Sequence, residues 1–100
     1  MSMTIYKKIN NGTMTAEIKG RIDTTTSVVL ENEMKECFDD CNNFVLDFSN
    51  VEYISSAGLR VLLTAHKIMC KKGGMKVKNV RQAIMEIFEV TGFSEILDIE

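Results

Sequence analysis

An α/β fold is predicted, with a mixed, mostly parallel sheet of four to five strands, an N-terminal hairpin and about four helices. Three features of the 100-residue sequence predict it. Met3-Ile5-Lys7-Ile9 and Met14-Ala16-Ile18 alternate with more polar residues around Asn10-Asn11-Gly12. A nearly unbroken apolar run, Phe44-Val45-Leu46-Asp47-Phe48, leads through one loop into the strongest helical pattern in the chain. Beyond it strands and helices alternate, which implies right-handed crossovers and a largely parallel sheet with one antiparallel member.

The first two strands form a hairpin with one buried face, because a period of two exposes alternate residues and Asn-Gly suits a tight turn. Gly20-Arg21-Ile22-Asp23 then leads into Thr24-Thr25-Thr26-Ser27, four hydroxyls any of which suits the start of a helix. That helix repeats Leu30, Met34, Cys37, Phe38 and Cys41 on one side and ends around Asp39 to Asn43. The run Phe44 to Phe48 reads as a strand covered on both faces by helices. Asp47 interrupts it and is expected to hold backbone N–H groups of the following loop. The next helix runs from about Ala57 to Lys72 and stops at Gly73-Gly74, with Arg60, Thr64, Lys67 and Lys71 in one polar stripe. Leu62, Ala65 and Met69 lie opposite, flanked by Leu59, Leu63 and Cys70 on one side and Val61 and Ile68 on the other. Met75-Lys76-Val77 is a short strand, Val80, Ile84, Ile87 and Phe88 mark another helix closed near Gly92, and Phe93 to Ile99 makes a half turn and a last strand.

At 45% hydrophobic content the chain supports one domain, residues 1–100, around one core. A formal net charge of −2 lacks the basic excess of a nucleic-acid binder. The longest apolar segment, Leu59 to Met69, falls short of the roughly 20 residues that cross a bilayer and carries Arg60, Thr64, His66 and Lys67, so membrane insertion is not expected. The start, Met1 to Lys8, reads as a strand rather than a secretory signal, which makes a cytoplasmic protein the simplest reading. Cys37, Cys41 and Cys70 are an odd number with no second cysteine pair, and His66 is the sole histidine. Small core or boundary residues are the expectation, not a disulfide framework or a metal site.

The chemistry concentrates where the central strand becomes a helix, at Ile54-Ser55-Ser56-Ala57-Gly58. Helix N-termini leave four N–H groups without internal partners and carry about half a positive charge, so they accept a hydroxyl cap or an anion. Nucleophilic catalysis is disfavoured, because His66 lies ten residues beyond Ser56, roughly 15 Å along a helix, and points to another side. The Gly-x-Ser-x-Gly elbow and the glycine-rich nucleotide loops are absent, and no cofactor is expected. On composition alone a serine here is a cap, with a worth of about 1 kcal/mol.

The segment Asp47-Phe48-Ser49-Asn50-Val51-Glu52-Tyr53-Ile54-Ser55-Ser56-Ala57-Gly58-Leu59 resembles the signature of the STAS domain family, the anti-sigma factor antagonists and related modules. Gly20-Arg21-Ile22-Asp23, Gly73 to Val80 and Gly92-Phe93 match further family positions, so the resemblance spans the chain. It implies a non-catalytic protein that binds an anti-sigma factor, itself a serine kinase, and thereby frees a sigma factor. The kinase inactivates the antagonist by phosphorylating it, and a PP2C-like phosphatase restores it. The acceptor implied is Ser56, with Ser55 as a secondary candidate. Ser55 stands where many regulated antagonists carry Asp, and Ala57 where they often carry Ser or Thr. The partner-binding surface expected on the same basis comprises Asp23, Thr24, Asn50 and Ile54, together with Ser55, Gly58, Leu59 and Arg60. Alternatives are a STAS scaffold without a phosphate switch and a ligand-sensing module. An exposed hairpin edge and the wide apolar arc of the long helix would permit a homodimer.

Overall fold

A computed structural model describes residues 3–100, so the strand reading of Met1 and Ser2 lies outside the described residues. Five strands pair in chain order: β1 (Met3–Asn10), β2 (Thr13–Ile22), β3 (Asn43–Ile54), β4 (Met75–Lys78) and β5 (Asp98–Ile99). β1 is antiparallel to β2 and every other neighbouring pair is parallel. The hairpin turns on Asn11 and Gly12, whose φ angles of 50° and 81° are the left-handed values a two-residue turn needs. Three α-helices follow: α1 (Thr26–Lys35), α2 (Ser56–Met69) and α3 (Gln82–Thr91). The fourth helix expected from the sequence is absent among the described residues; 3-10 turns occupy Phe38–Asp40 and Phe93–Glu95.

α1 is shorter than its apolar repeat suggested. The chain leaves the helix at Cys37, with φ −106°, yet Cys37, Phe38 and Cys41 remain buried because a 3-10 turn carries them inward. Phe38 meets Phe44 edge-on with ring centroids 5.9 Å apart. The Lys72 ammonium donates to the carbonyls of Phe38 and Cys41, tying this turn to the end of α2. Periodicity reports which side chains go inward, not whether the backbone bonds of a helix continue.

The central strand corrects another expectation, for β3 is covered on one face only. Phe44, Leu46 and Phe48 share a buried face with Met14, Ala16 and Ile18 of β2 and with Met75 and Val77 of β4. Their neighbours Thr15, Glu17, Val45, Asp47, Lys76 and Lys78 point to the other side and keep solvent contact. Parallel strands added in one direction by right-handed crossovers place every connecting helix on the same face. Leu30 and Met34 of α1, Leu62, Ala65 and Met69 of α2, and Ile84 and Phe88 of α3 all enter that core. Beyond Phe48 the register with β2 shifts twice, each time by one extra residue in β3. These bulges turn the two-residue alternation into steps of three, so that Phe48, Val51 and Ile54 all face the core at the end of the strand that leads into α2. No helix among the described residues is long and apolar enough to cross a membrane.

Candidate functional site

The starts of α1 and α2 lie side by side at the carboxyl ends of β2 and β3. The Ser55 N–H donates to the Ile22 carbonyl at 2.8 Å, which stitches the second junction to the first. Gly58 completes the approach: a Cβ there would sit 2.7 Å from Ile22 Cγ2 and from Ile54 Cγ1. Only glycine lets the first turn of α2 come so close to both strands.

The two serines have different fates. Ser55 is the N-cap of α2, with extended backbone (φ −88°, ψ 172°), and its Oγ accepts from the Gly58 N–H at 3.1 Å. Its carbonyl accepts the Leu59 N–H at 2.9 Å, the first bond of the helix. Ser56, the first helical residue, is exposed, and its hydroxyl has no hydrogen bond among the described residues. The first turn of α2 contains no acidic residue, so the positive end of its dipole is not neutralised from within the helix.

At the start of α1 the cap is a carboxylate rather than one of the expected hydroxyls. Asp23 Oδ1 accepts from the N–H of Thr26 at 2.8 Å and of Thr25 at 3.0 Å, while the Asp23 N–H donates to Thr26 Oγ1 at 2.8 Å. Thr26 Oγ1 in turn donates to the Arg21 carbonyl, and Ser27 Oγ to the Thr24 carbonyl. Hydrogen bonding from the Thr26 backbone is the main influence holding the Asp23 carboxyl below its ordinary pKa, with the Thr26 hydroxyl, the Thr25 N–H and the Arg21 charge acting the same way. Asp47 is a structural carboxylate of the same kind. Partial burial pushes its pKa up, but bonds from the Ser49 N–H and Asn79 Nδ2 and the charge of Lys78 outweigh this and leave it lowered.

Between the two helix starts runs a groove of about 250 Å³ lined by Thr24, Ser27, Val28 and Glu31 of one junction and Ala57, Arg60 and Val61 of the other. Ser56 is not among the lining residues; it immediately precedes Ala57, which is. Arg60 is exposed and enters no ion pair among the described residues. Val28 is 56% exposed and, with Ala57 and Val61, gives the groove apolar surface between Thr24, Glu31 and Arg60. Arg21 stacks over the Tyr53 ring at 4.4 Å, bridging the ends of β2 and β3.

The expected contact residues therefore divide. Thr24 and Arg60 line the groove, and Asn50 is half-buried on a bulged part of β3. Asp23 and Ser55 are engaged in capping. Ile54 and Leu59 are only 3% and 7% exposed and Gly58 is buried, so these three shape the junction from inside and offer no side chain to a partner. Sequence reasoning missed Val28 and the Arg21–Tyr53 pair. Val28 was legible as an apolar residue outside the Leu30-Met34 repeat, whereas the Arg21–Tyr53 contact depends on strand register. His66 Nε2 lies 3.3 Å from Cys70 Sγ, near the far end of α2, and supplies no base to Ser56.

Residues 4–100 match the model of the STAS domain. An anti-sigma-B factor antagonist of Bacillus subtilis (strain 168) is 27% identical over 100 residues, which cover 99% of this chain and 92% of the relative. The crystal structure of an anti-sigma factor antagonist from Mycobacterium paratuberculosis superposes with a TM-score of 0.89 at 25% identity, covering 98% of this chain and 85% of that one. The Bacillus cell fate determinant SpoIIAA in its phosphorylated form shares the fold, with a TM-score of 0.75 at 11% identity over 97% of this chain and 91% of that one. A serine-capped strand-to-helix junction on a five-stranded sheet, matched over nearly the whole chain, places this protein in the STAS domain family, with anti-sigma factor antagonists as its matched relatives.

Proposed function

We propose that this chain is a partner-switching antagonist: unmodified, it docks on an anti-sigma factor that is also a serine kinase and so releases a sigma factor. The γ-phosphoryl of ATP then passes to Ser56 Oγ, the serine proton is lost, ADP departs and the complex separates. A PP2C-like phosphatase returns the serine. The observation that carries this reading is the division of labour in the serine pair, where Ser55 is spent on the cap and Ser56 is exposed in the first turn of the helix that supplies Ala57, Arg60 and Val61 to the groove. An exposed hydroxyl at an unneutralised helix N-terminus is a favourable place to hold phosphate, and the same charge opposes a closely fitted protein surface through repulsion and desolvation. The relatedness to anti-sigma factor antagonists supports the partner, and the existence of a phosphorylated form of SpoIIAA supports the switch. The open edge of β1 leaves self-association available, which sedimentation would read.

Incubation with the cognate kinase and ATP is expected to add one phosphate, located at Ser56 by mass spectrometry. Ser56→Ala abolishes it and retains partner binding. Modification at Ser55 alone, or none with any kinase of the source cell, overturns the assignment.

A further inference from the structure

Resting on Ser56 as the phosphate acceptor, we propose that Arg60 is the intramolecular partner of that phosphate. Modification then adds negative charge at the start of α2 and also ties up the guanidinium that lines the groove.

Ser56 and Arg60 are four residues apart on α2, which sets their Cβ atoms about 5–6 Å apart on one face, with the acid N-terminal to the base as such pairs prefer. Both are exposed, and Arg60 has no ion-pair partner to surrender among the described residues. Two nearby carboxylates already have partners of their own. Glu31, across the groove, lies 4.0 Å from Lys35, and Asp23 accepts the N–H groups of Thr25 and Thr26. Arg21, near the end of β2, is held over Tyr53. A guanidinium presents two parallel N–H groups that match two phosphate oxygens, so the pair forms by side-chain rotation without moving the helix. Unmodified, Arg60 is a free cation for an acidic group on the docked protein. Modified, it closes onto its own chain, and the local charge changes from about +1 to nearly −1.

The test installs phosphoserine at position 56 during translation, so that no kinase is needed, and follows the second phosphate ionisation by ³¹P NMR in the otherwise unchanged chain, in Arg60→Gln and in Arg60→Lys. The phosphate pKa near 6 is expected to lie about 0.3–1 unit lower with arginine at position 60 than with glutamine, a two- to tenfold change in proton affinity, with lysine intermediate and the difference shrinking in high salt. Equal values in the unchanged chain and in Arg60→Gln overturn the pairing whether or not a kinase acts on Ser56 in the cell. Conversely, a missing kinase sinks the switch and leaves this measurement standing.

Discussion

The two helix starts sit side by side, both rich in hydroxyls, and are electrostatic opposites. At α1 the anion position is filled by the chain itself: Asp23 accepts two backbone N–H groups, and the buried Thr26 and Ser27 hydroxyls are consumed in local bonds. At α2 the cap is a neutral serine, no acid occupies the first turn, and the next hydroxyl is exposed. Added phosphate would be repelled by the resident carboxylate at the first junction and held by the helix dipole at the second. What distinguishes the second junction is thus a serine left exposed beside a neighbour that has already done the capping, rather than the number of hydroxyls nearby.

Breaking the asymmetry at Ser56 itself has the largest expected effect. Ser56→Asp gives the second junction the charge that the first already has, and is expected to weaken partner binding roughly 100-fold or more in calorimetric titration, since like charges brought together at an interface cost several kcal/mol. Unchanged affinity would remove the functional contrast between the junctions. Gly58→Ala forces a methyl into Ile22 and Ile54 and is expected to destabilise the fold by about 1–3 kcal/mol in urea unfolding. A neutral outcome would mean that the two junctions are not held as closely as their contacts indicate. The serine pair sharpens the comparison at a smaller scale. Ser55→Ala is expected to cost about 1 kcal/mol for the lost cap, and Ser56→Ala less than about 0.5 kcal/mol. Equal losses would show that the two hydroxyls share the structural work.

The smallest effect is in acid. Asp23 has a lowered folded pKa, so the unfolded chain binds more protons in the window just below the ordinary carboxylate value of about 3.9. Its contribution is present above that pH and is lost as pH falls through the folded value. Asp23→Asn keeps an accepting oxygen for the cap and removes this titration, so its unfolding free energy is expected to fall less steeply than that of the unmodified chain between about pH 4 and 2. Identical slopes would show that the first junction does not depend on charge.

Much of this architecture was legible because its signals are local. The Asn11-Gly12 turn, the serine before the α2 repeat and the glycine at the end of α3 each depend on neighbours in the chain. What misled was also local. Phe44 to Phe48 reads as continuously apolar, yet Val45 and Asp47 face the open side of the sheet, because coverage depends on where the crossovers put the helices. The threonine run advertised hydroxyl caps, but a carboxylate one residue earlier makes two bonds at once and displaces them.

By itself the sequence determined that a strand must turn into a helix at a pair of serines and that the elements around them alternate, since periodicity, capping and turn chemistry act over a few residues. Only the tertiary structure decided which serine is spent and which is displayed, and which neighbours point inward. The bond from Ser55 N–H to Ile22 and the contact of Gly58 with Ile22 and Ile54 fix where α2 begins. Ile22 lies more than thirty residues from both serine and glycine, and accessibility is set by such distant contacts.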